Sequence, residues 1–215
     1  VTGTQFLQAT GAGLALLKNS EHAVVYVSAG EGTTSQGDFH EALNWSSRDK
    51  YPVIFHIQNN HYAISVPIEH QTAGASVYKI SAGYDNLARF NVDGTNFFET
   101  YMAFNKAVDR ARKGKGPSLI VSDVVRLLPH SSSDDQRKYR TEDELEADHQ
   151  RDPLKQFSQS CIQAGIVKEE DFELLQIQVK GQVDSDAEWA ENQPDPNPHD
   201  KMKNVFVQET YTAVS

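Results

Sequence analysis

Four apolar runs, beginning near residues 23, 53, 88 and 118, constrain the fold of this chain more than any other feature. Ala23–Val27, Val53–Ile57, Ala88–Val92 and Ser118–Val125 are short, draw on Val, Ile and Phe, and end in polar or turn-forming residues. A run of this kind reads as a strand covered on both faces, as in a parallel sheet. Successive starts lie about thirty to thirty-five residues apart, the length of a βαβ unit, and such crossovers are right-handed. Phe97–Arg112 has the marks of a connecting helix: Asn96 or Thr95 as its cap, a basic last turn, and a Gly/Pro stop at Gly114-Lys115-Gly116-Pro117. The pattern predicts an α/β fold built on a mostly parallel sheet.

The intervening stretches fill in around that frame. Thr4–Lys18 reads as a helix in which Ala9, Gly11, Ala12, Gly13 and Ala15 permit close packing on a sheet. Such glycines cost about 1 kcal/mol each in helix propensity. Thr33–Gly37 reads as a loop, with Asp38 capping a helix Phe39–Arg48. Glu69–Tyr78 is irregular, and Ile80–Asp85 reads as the start of a short helix. Arg126–Arg140 is a polar loop following directly on a strand. From Thr141 to about Glu188 the pattern is helical, opened by a capping box at Thr141-Glu142-Asp143-Glu144 and resumed at Asp152-Pro153. Asn192–Pro198 is an extended linker, and Val205–Tyr211 a terminal strand or arm. The expected division is an α/β domain over 1–140 and a helical extension with an extended arm over 141–215.

Composition excludes several classes. A net charge of −10 over 215 residues disfavours a nucleic-acid surface, which needs a basic stripe. One cysteine, Cys161, rules out an internal disulfide and any Cys/His zinc spacing, and reads as a small buried hydrophobe. No stretch has the length of a transmembrane helix, and no signal peptide is present, so a cytoplasmic location is expected. The chain opens on Val1-Thr2 with residues that already read as helix, which marks it as a piece of something longer.

Chemistry concentrates where the first two runs end. Gly30-Glu31-Gly32 follows one and Gln58-Asn59-Asn60 the other. In an open α/β sheet, ligands sit at the carboxyl ends of the strands, so an acid flanked by glycines and a group of amides share one rim. Oxygen donors such as Glu31 and Asn60 suit a hard cation like Mg²⁺, which is commonly held by few protein groups plus phosphate.

These residues resemble the fingerprint of the thiamine-diphosphate enzymes, most closely the alpha-type subunit of the 2-oxo acid dehydrogenases. The match runs through Gly30-Glu31-Gly32-Thr33-Thr34-Ser35-Gln36-Gly37 and Asn59-Asn60-His61-Tyr62-Ala63-Ile64-Ser65. The resemblance implies a Rossmann-like, three-layer thiamine-diphosphate-binding fold with a helical C-terminal extension. It implies Mg²⁺ coordination by the Glu31 carboxylate, the Asn60 side chain and the Tyr62 carbonyl. Gly30, Gly32 and Thr33 would lie under the diphosphate, with Ala63 and Ile64 near the thiazolium ring; plain core packing explains Ala63 and Ile64 nearly as well. The branched-chain subfamily has Arg where Gln58 stands, so that phosphate contact is weaker or supplied otherwise. The family usually has Gly where His61 stands; a His there reads as a surface residue, with an extra phosphate contact as the alternative.

A second motif, Pro129-His130-Ser131-Ser132-Ser133-Asp134-Asp135 followed by Tyr139-Arg140, resembles the HHSTSDD…YR loop of the branched-chain members. By that match His130 is the catalytic histidine that reaches the cofactor and assists acyl transfer. Arg126, Asp134, Tyr139 and Arg140 fall on loop-ordering positions. Ser131 matches a serine phosphorylated in mitochondrial relatives, without implying that it is modified here. Thr4 and Gln5 match residues that hold a monovalent cation, though helix packing explains them equally.

The resemblance implies oxidative decarboxylation of a 2-oxo acid, branched-chain by preference, with the acyl group passed to a lipoyl acyltransferase component. The pyrimidine half of the pocket would come from a beta-type domain, separate or fused, in a homo- or hetero-oligomer. This chain alone is expected not to turn over substrate. A pyruvate or acetoin dehydrogenase is the alternative within enzymes. A nucleotide-binding or non-catalytic interaction module is the alternative outside them, opposed by the absence of GxGxxG or a Walker lysine and by the Glu31/Asn60 pairing.

Overall fold

The computed structural model describes residues 2–203. Strands form at the four apolar runs, as β1 (Val25–Gly30), β2 (Val53–Asn59), β5 (Ala88–Asp93) and β6 (Ser118–Asp123). A small antiparallel hairpin, β3 (Tyr62–Ala63) and β4 (Val66–Pro67), follows β2. The helices are α1 (Gln5–Lys18), α2 (Gly37–Asp49), α3 (Val77–Ile80), α4 (Phe97–Arg112), α5 (Glu142–Gln150), α6 (Pro153–Gln163) and α7 (Glu169–Glu191).

The long strands are all parallel, in the order β1-β2-β6-β5. The step from β1 to β2 and the step from β5 to β6 run in opposite directions along that order. Crossovers of one hand therefore put α2 and α4 on opposite faces. The core agrees. Phe6, Ala9, Phe39 and Leu43 of α1 and α2 bury Val53, Phe55, Ile57 and Leu119 on one face. Ala103 and Ala107 of α4 bury Ile54, Val92 and Ile120 on the other. This is the expected three-layer α/β arrangement. Gly13 shows why α1 carries small residues: a Cβ there would meet Val53 Cγ2 at 2.6 Å.

Several local expectations are corrected. Residues Glu31–Ser35 form a 3₁₀ turn rather than a loop, with Thr34 Oγ1 donating to the Glu31 carbonyl at 2.6 Å. Asp38 does not cap α2. The helix begins at Gly37, and Gln36 stands at the N-cap in extended conformation without a side-chain bond. Asp38 sits in the first turn, where a carboxylate complements the helix dipole. The short helix expected at Ile80–Asp85 lies earlier, as α3, because Ser76 accepts the Lys79 N–H and starts it. At α5 half of the capping box forms: Thr141 Oγ1 accepts the Glu144 N–H, but the Glu144 carboxylate turns to Arg140.

Asn96 caps α4 as expected, accepting from Phe98 and Glu99. Cys161 is buried and free. Val205–Tyr211 lies outside the described residues. The chain divides into two compact units, Val1–Cys161 and Ile162–Ser215. Among the described residues no helix is long and apolar enough to cross a membrane.

Candidate functional site

Strand register levels the carboxyl ends of the sheet. Gly30 pairs with Gln58, Asn59 with Asp123, and Asp123 with Asp93. Each strand therefore delivers a polar residue to one rim, and Glu31 follows β1 directly.

Glu31 is 1% exposed. Its Oε2 accepts the N–H of Asn60 at 3.3 Å, while Oε1 is buried with no hydrogen-bond partner. Burial pushes its carboxyl above the ordinary value, against the smaller opposing effects of backbone N–H groups and the nearby His61 and Arg126. An unpaired buried carboxylate oxygen is costly, and a cation would satisfy it.

The chain turns sharply after β2. Asn59 Oδ1 accepts the His61 N–H at 3.1 Å and Asn60 Oδ1 the Tyr62 N–H at 3.0 Å. His61 adopts a φ of +68°. The hairpin then closes through Ala63–Val66 and the bond from Ile68 N–H to the His61 carbonyl. Tyr62 and Pro67 between them form a non-hydrogen-bonded pair, which directs the Tyr62 carbonyl away from the ladder. Gly32 meets this hairpin so closely that a Cβ on it would lie 2.6 Å from Ala63 Cβ. Its missing side chain thus accommodates Ala63.

Ile64 is not core packing. It is 55% exposed at the hairpin tip with a φ of +57°, an outlier for a β-branched residue. It occupies the first position of a two-residue hairpin loop, where glycine is favoured when φ is positive. Gln58 is exposed beside Gly30.

The Arg126–Arg140 loop is bonded to the hairpin at its root. Arg126 donates to the Ile64 carbonyl at 2.7 Å and to Tyr139 Oη at 2.7 Å. Its guanidinium lies over the rings of Tyr62 and Tyr139. Tyr139 Oη donates to Asp134, which also accepts the His130 N–H; these bonds hold the Asp134 carboxyl below its ordinary range. Arg140, with its side chain 2% exposed, bonds Glu144, Asp148, Gln136 and the Arg126 carbonyl.

The structure thus brings Gly30, Glu31, Gly32, Thr33, Asn60, Tyr62 and Ala63 together. It leaves His130 exposed, held through its backbone. Thr4 is exposed at the start of α1, and Gln5 Oε1 is taken by the Gly3 N–H.

Two groups escape sequence reasoning. Asp123 pairs with His61 and with Arg151, which also reaches Asp93. His56 in β2 lies with Nδ1 2.9 Å from Tyr26 Oη and Nε2 2.9 Å from Ser122 Oγ, and burial lowers its pKa. Asp123 falls inside the Ser118–Val125 run, where nothing local marks it as the end of a strand. Arg151, in an acid-rich helical stretch, carried no signal.

Parallel strands with a glycine-flanked acid and an amide turn at their carboxyl ends define the class: an α/β protein whose polar groups gather on one rim of the sheet. The chain belongs to the dehydrogenase E1 component family, whose model matches residues 1–199. It is 35% identical over 204 residues to the 2-oxoisovalerate dehydrogenase subunit alpha of Bacillus subtilis (strain 168), covering 95% of this chain and 62% of that protein. It is 39% identical over 155 residues to the 3-methyl-2-oxobutanoate dehydrogenase subunit alpha of Mycobacterium tuberculosis (strain CDC 1551 / Oshkosh), covering 72% and 42%. It is 39% identical over 173 residues to the pyruvate dehydrogenase E1 component subunit alpha of Staphylococcus aureus (strain Mu50 / ATCC 700699), covering 79% and 46%. The chain therefore spans less than two thirds of the length of each of these relatives.

Proposed function

We propose that this chain is the diphosphate-and-metal half of a thiamine-diphosphate-dependent 2-oxo acid dehydrogenase, in its alpha-type subunit. The observation that carries the reading is the buried Glu31 carboxyl, with one oxygen on the Asn60 N–H and the other without a partner. The donor set fits Mg²⁺: the Glu31 carboxylate, the Asn60 side-chain oxygen and the outward Tyr62 carbonyl are all hard oxygens. No group of three or more His, Cys, Asp or Glu side chains is gathered for a metal among the described residues. Phosphate and water would thus complete the shell, as is usual for this ion.

Thiamine diphosphate supplies the electron sink that makes loss of carbon dioxide from a 2-oxo acid feasible. The chain's own residues bind and orient. Burial strengthens the hold of the Glu31 carboxyl on a proton, and a cation taken there would favour its ionised form. Gly30, Gly32 and Thr33 offer backbone beneath the diphosphate, with Gln58 at its edge. Ala63 and the exposed Ile64 present apolar surface to an organic ring. His130 holds and moves a proton at its imidazole during acyl transfer to lipoyl, on a loop that Arg126 attaches to the hairpin. A beta-type domain supplies the other wall of the pocket, a lipoyl acyltransferase receives the acyl group, and the whole works in the cytoplasm.

The His130–Arg140 motif and two of the relatives named above support a branched-chain 2-oxo acid as substrate. The relative named as a pyruvate dehydrogenase alpha subunit, at 39% identity, keeps pyruvate as a second reading. Calorimetric titration of the assembled protein with thiamine diphosphate and MgCl₂ tests the site. Glu31→Ala and Asn60→Ala should each abolish magnesium-dependent binding; undiminished binding in both would remove the metal assignment. Relative kcat/KM for 2-oxoisovalerate and pyruvate decides the substrate.

A further inference from the structure

We infer that Asp123 is a positioning residue for the cofactor hairpin, acting through the side chain of His61. This rests on the reading that the turn at Asn60–Tyr62 holds the cofactor's cation. His61 stands between those two residues with a φ of +68°, a left-handed conformation that is uncommon for residues other than glycine, though His adopts it more readily than most. Such a conformation persists only when its surroundings impose it, and the structure shows what does so. The His61 N–H is bonded to Asn59 Oδ1, its carbonyl accepts from Ile68, and its Nε2 lies 2.5 Å from Asp123 Oδ1. A neutral imidazole serves, because Nε2–H can donate to the carboxylate.

Asp123 is itself held from the other side. Its Oδ2 accepts from Arg151 Nη2 at 3.0 Å, and the same guanidinium nitrogen reaches Asp93 Oδ1 at 3.3 Å. Asp93 is fixed in turn by the N–H and hydroxyl of Thr95. Asn59, Asp123 and Asp93 are register partners across β2, β6 and β5. One carboxylate on the rim thus ties the second residue after β2, His61, to β6 and, through Arg151, to β5. The dihedral angle it enforces decides where the Asn60 side chain and the Tyr62 carbonyl point.

The test is a double-mutant cycle on the full protein assembled with its beta-type partner. The readouts are the Kd for thiamine diphosphate at fixed MgCl₂ and thermal unfolding without ligand. Asp123→Ala should weaken cofactor binding by about ten- to a hundredfold, the usual cost of removing a residue that orients a metal's ligands. Asp123→Asn, which still accepts from Nε2–H, should recover most of the loss. Glycine adopts positive φ unaided, so His61→Gly should bind within about twofold of wild type, and adding Asp123→Ala to it should change nothing further. Wild-type affinity in Asp123→Ala, or a double variant as weak as Asp123→Ala alone, overturns the inference. If Glu31→Ala binds as tightly as wild type, the metal reading fails and the clamp falls as a cofactor device. The ligand-free unfolding cycle distinguishes the two failures. Coupling between positions 61 and 123 there shows that the clamp exists and the metal reading alone is at fault; its absence shows that Asp123 does not hold His61.

Discussion

Two buried side chains, Glu31 at the rim and His56 within β2, carry opposite pH signatures. Burial raises the Glu31 carboxyl above its ordinary value of about 4.5, so in the interval between the two values the folded, ligand-free protein holds a proton there that the unfolded chain has released. Stability from this group is present below about pH 4.5 and is lost as pH rises through the folded value. Glu31→Gln should flatten that part of the stability profile while eliminating cofactor binding. Within that pH interval wild-type binding should release protons, measurable by calorimetry in buffers of different ionisation enthalpy. His56 has the reverse sign. Its folded pKa lies below the ordinary 6.5 because burial disfavours the imidazolium. Stability is therefore full above about pH 6.5 and falls as the solution is acidified through the interval below it. His56→Gln should lose less stability than wild type between pH 7 and 5 in thermal melts. At the hairpin tip, Ile64→Gly should relieve a strained dihedral costing about 1–3 kcal/mol and raise the melting temperature. If Ile64 faces the cofactor ring, the same change weakens cofactor binding, a trade that calorimetry on the same sample would show.

At the scale of elements, the loop from Arg126 to Arg140 depends on one buried cation. Arg140 gathers two carboxylates, a glutamine and a backbone carbonyl. Removing it strands Asp148 and Glu144 without their partner. Losing one side of a buried pair costs about 3–5 kcal/mol, an upper bound here because Glu144 is partly exposed. Arg140→Ala should make the loop the first site of proteolysis and raise its hydrogen exchange, with the sheet unaffected. The Arg126, Asp134, Tyr139 and Arg140 constellation was legible because its residue types recur in a known motif. Its attachment to α5 through Asp148 and Glu144 was not, since an acid-rich helix reads as a solvated face until its position is known. The caps divide similarly. Asn96 announces α4, a signal local to four residues, whereas Gln36 carries no capping side chain and α2 begins there by tertiary packing of Phe39 and Leu43.

For the whole molecule, the strand spacing was enough to predict an α/β fold on a mostly parallel sheet, because helix and strand lengths follow from local patterning, while the three-layer arrangement was implied by the family resemblance. Strand order was not readable, since nothing within β6 states that it enters between β2 and β5. The same limit hid the rim's charge cluster: Asp93, Asp123 and Arg151 are far apart in the chain and meet only through register. Cofactor binding should stabilise the assembled protein by mass action, about 2.7 kcal/mol at a hundred times the Kd, and the thermal shift should be absent in Glu31→Ala. The order β1-β2-β6-β5 also has a consequence for synthesis. A chain that has emerged only as far as Arg112 has made β2 and β5 but not the strand that separates them. Each then presents an unpaired edge, the kind of surface that invites association with other chains. The interval between translation of Asp93 and Asp123 is thus the time at which a nascent copy most needs shielding, and stalling within it should increase aggregation more than stalling after it.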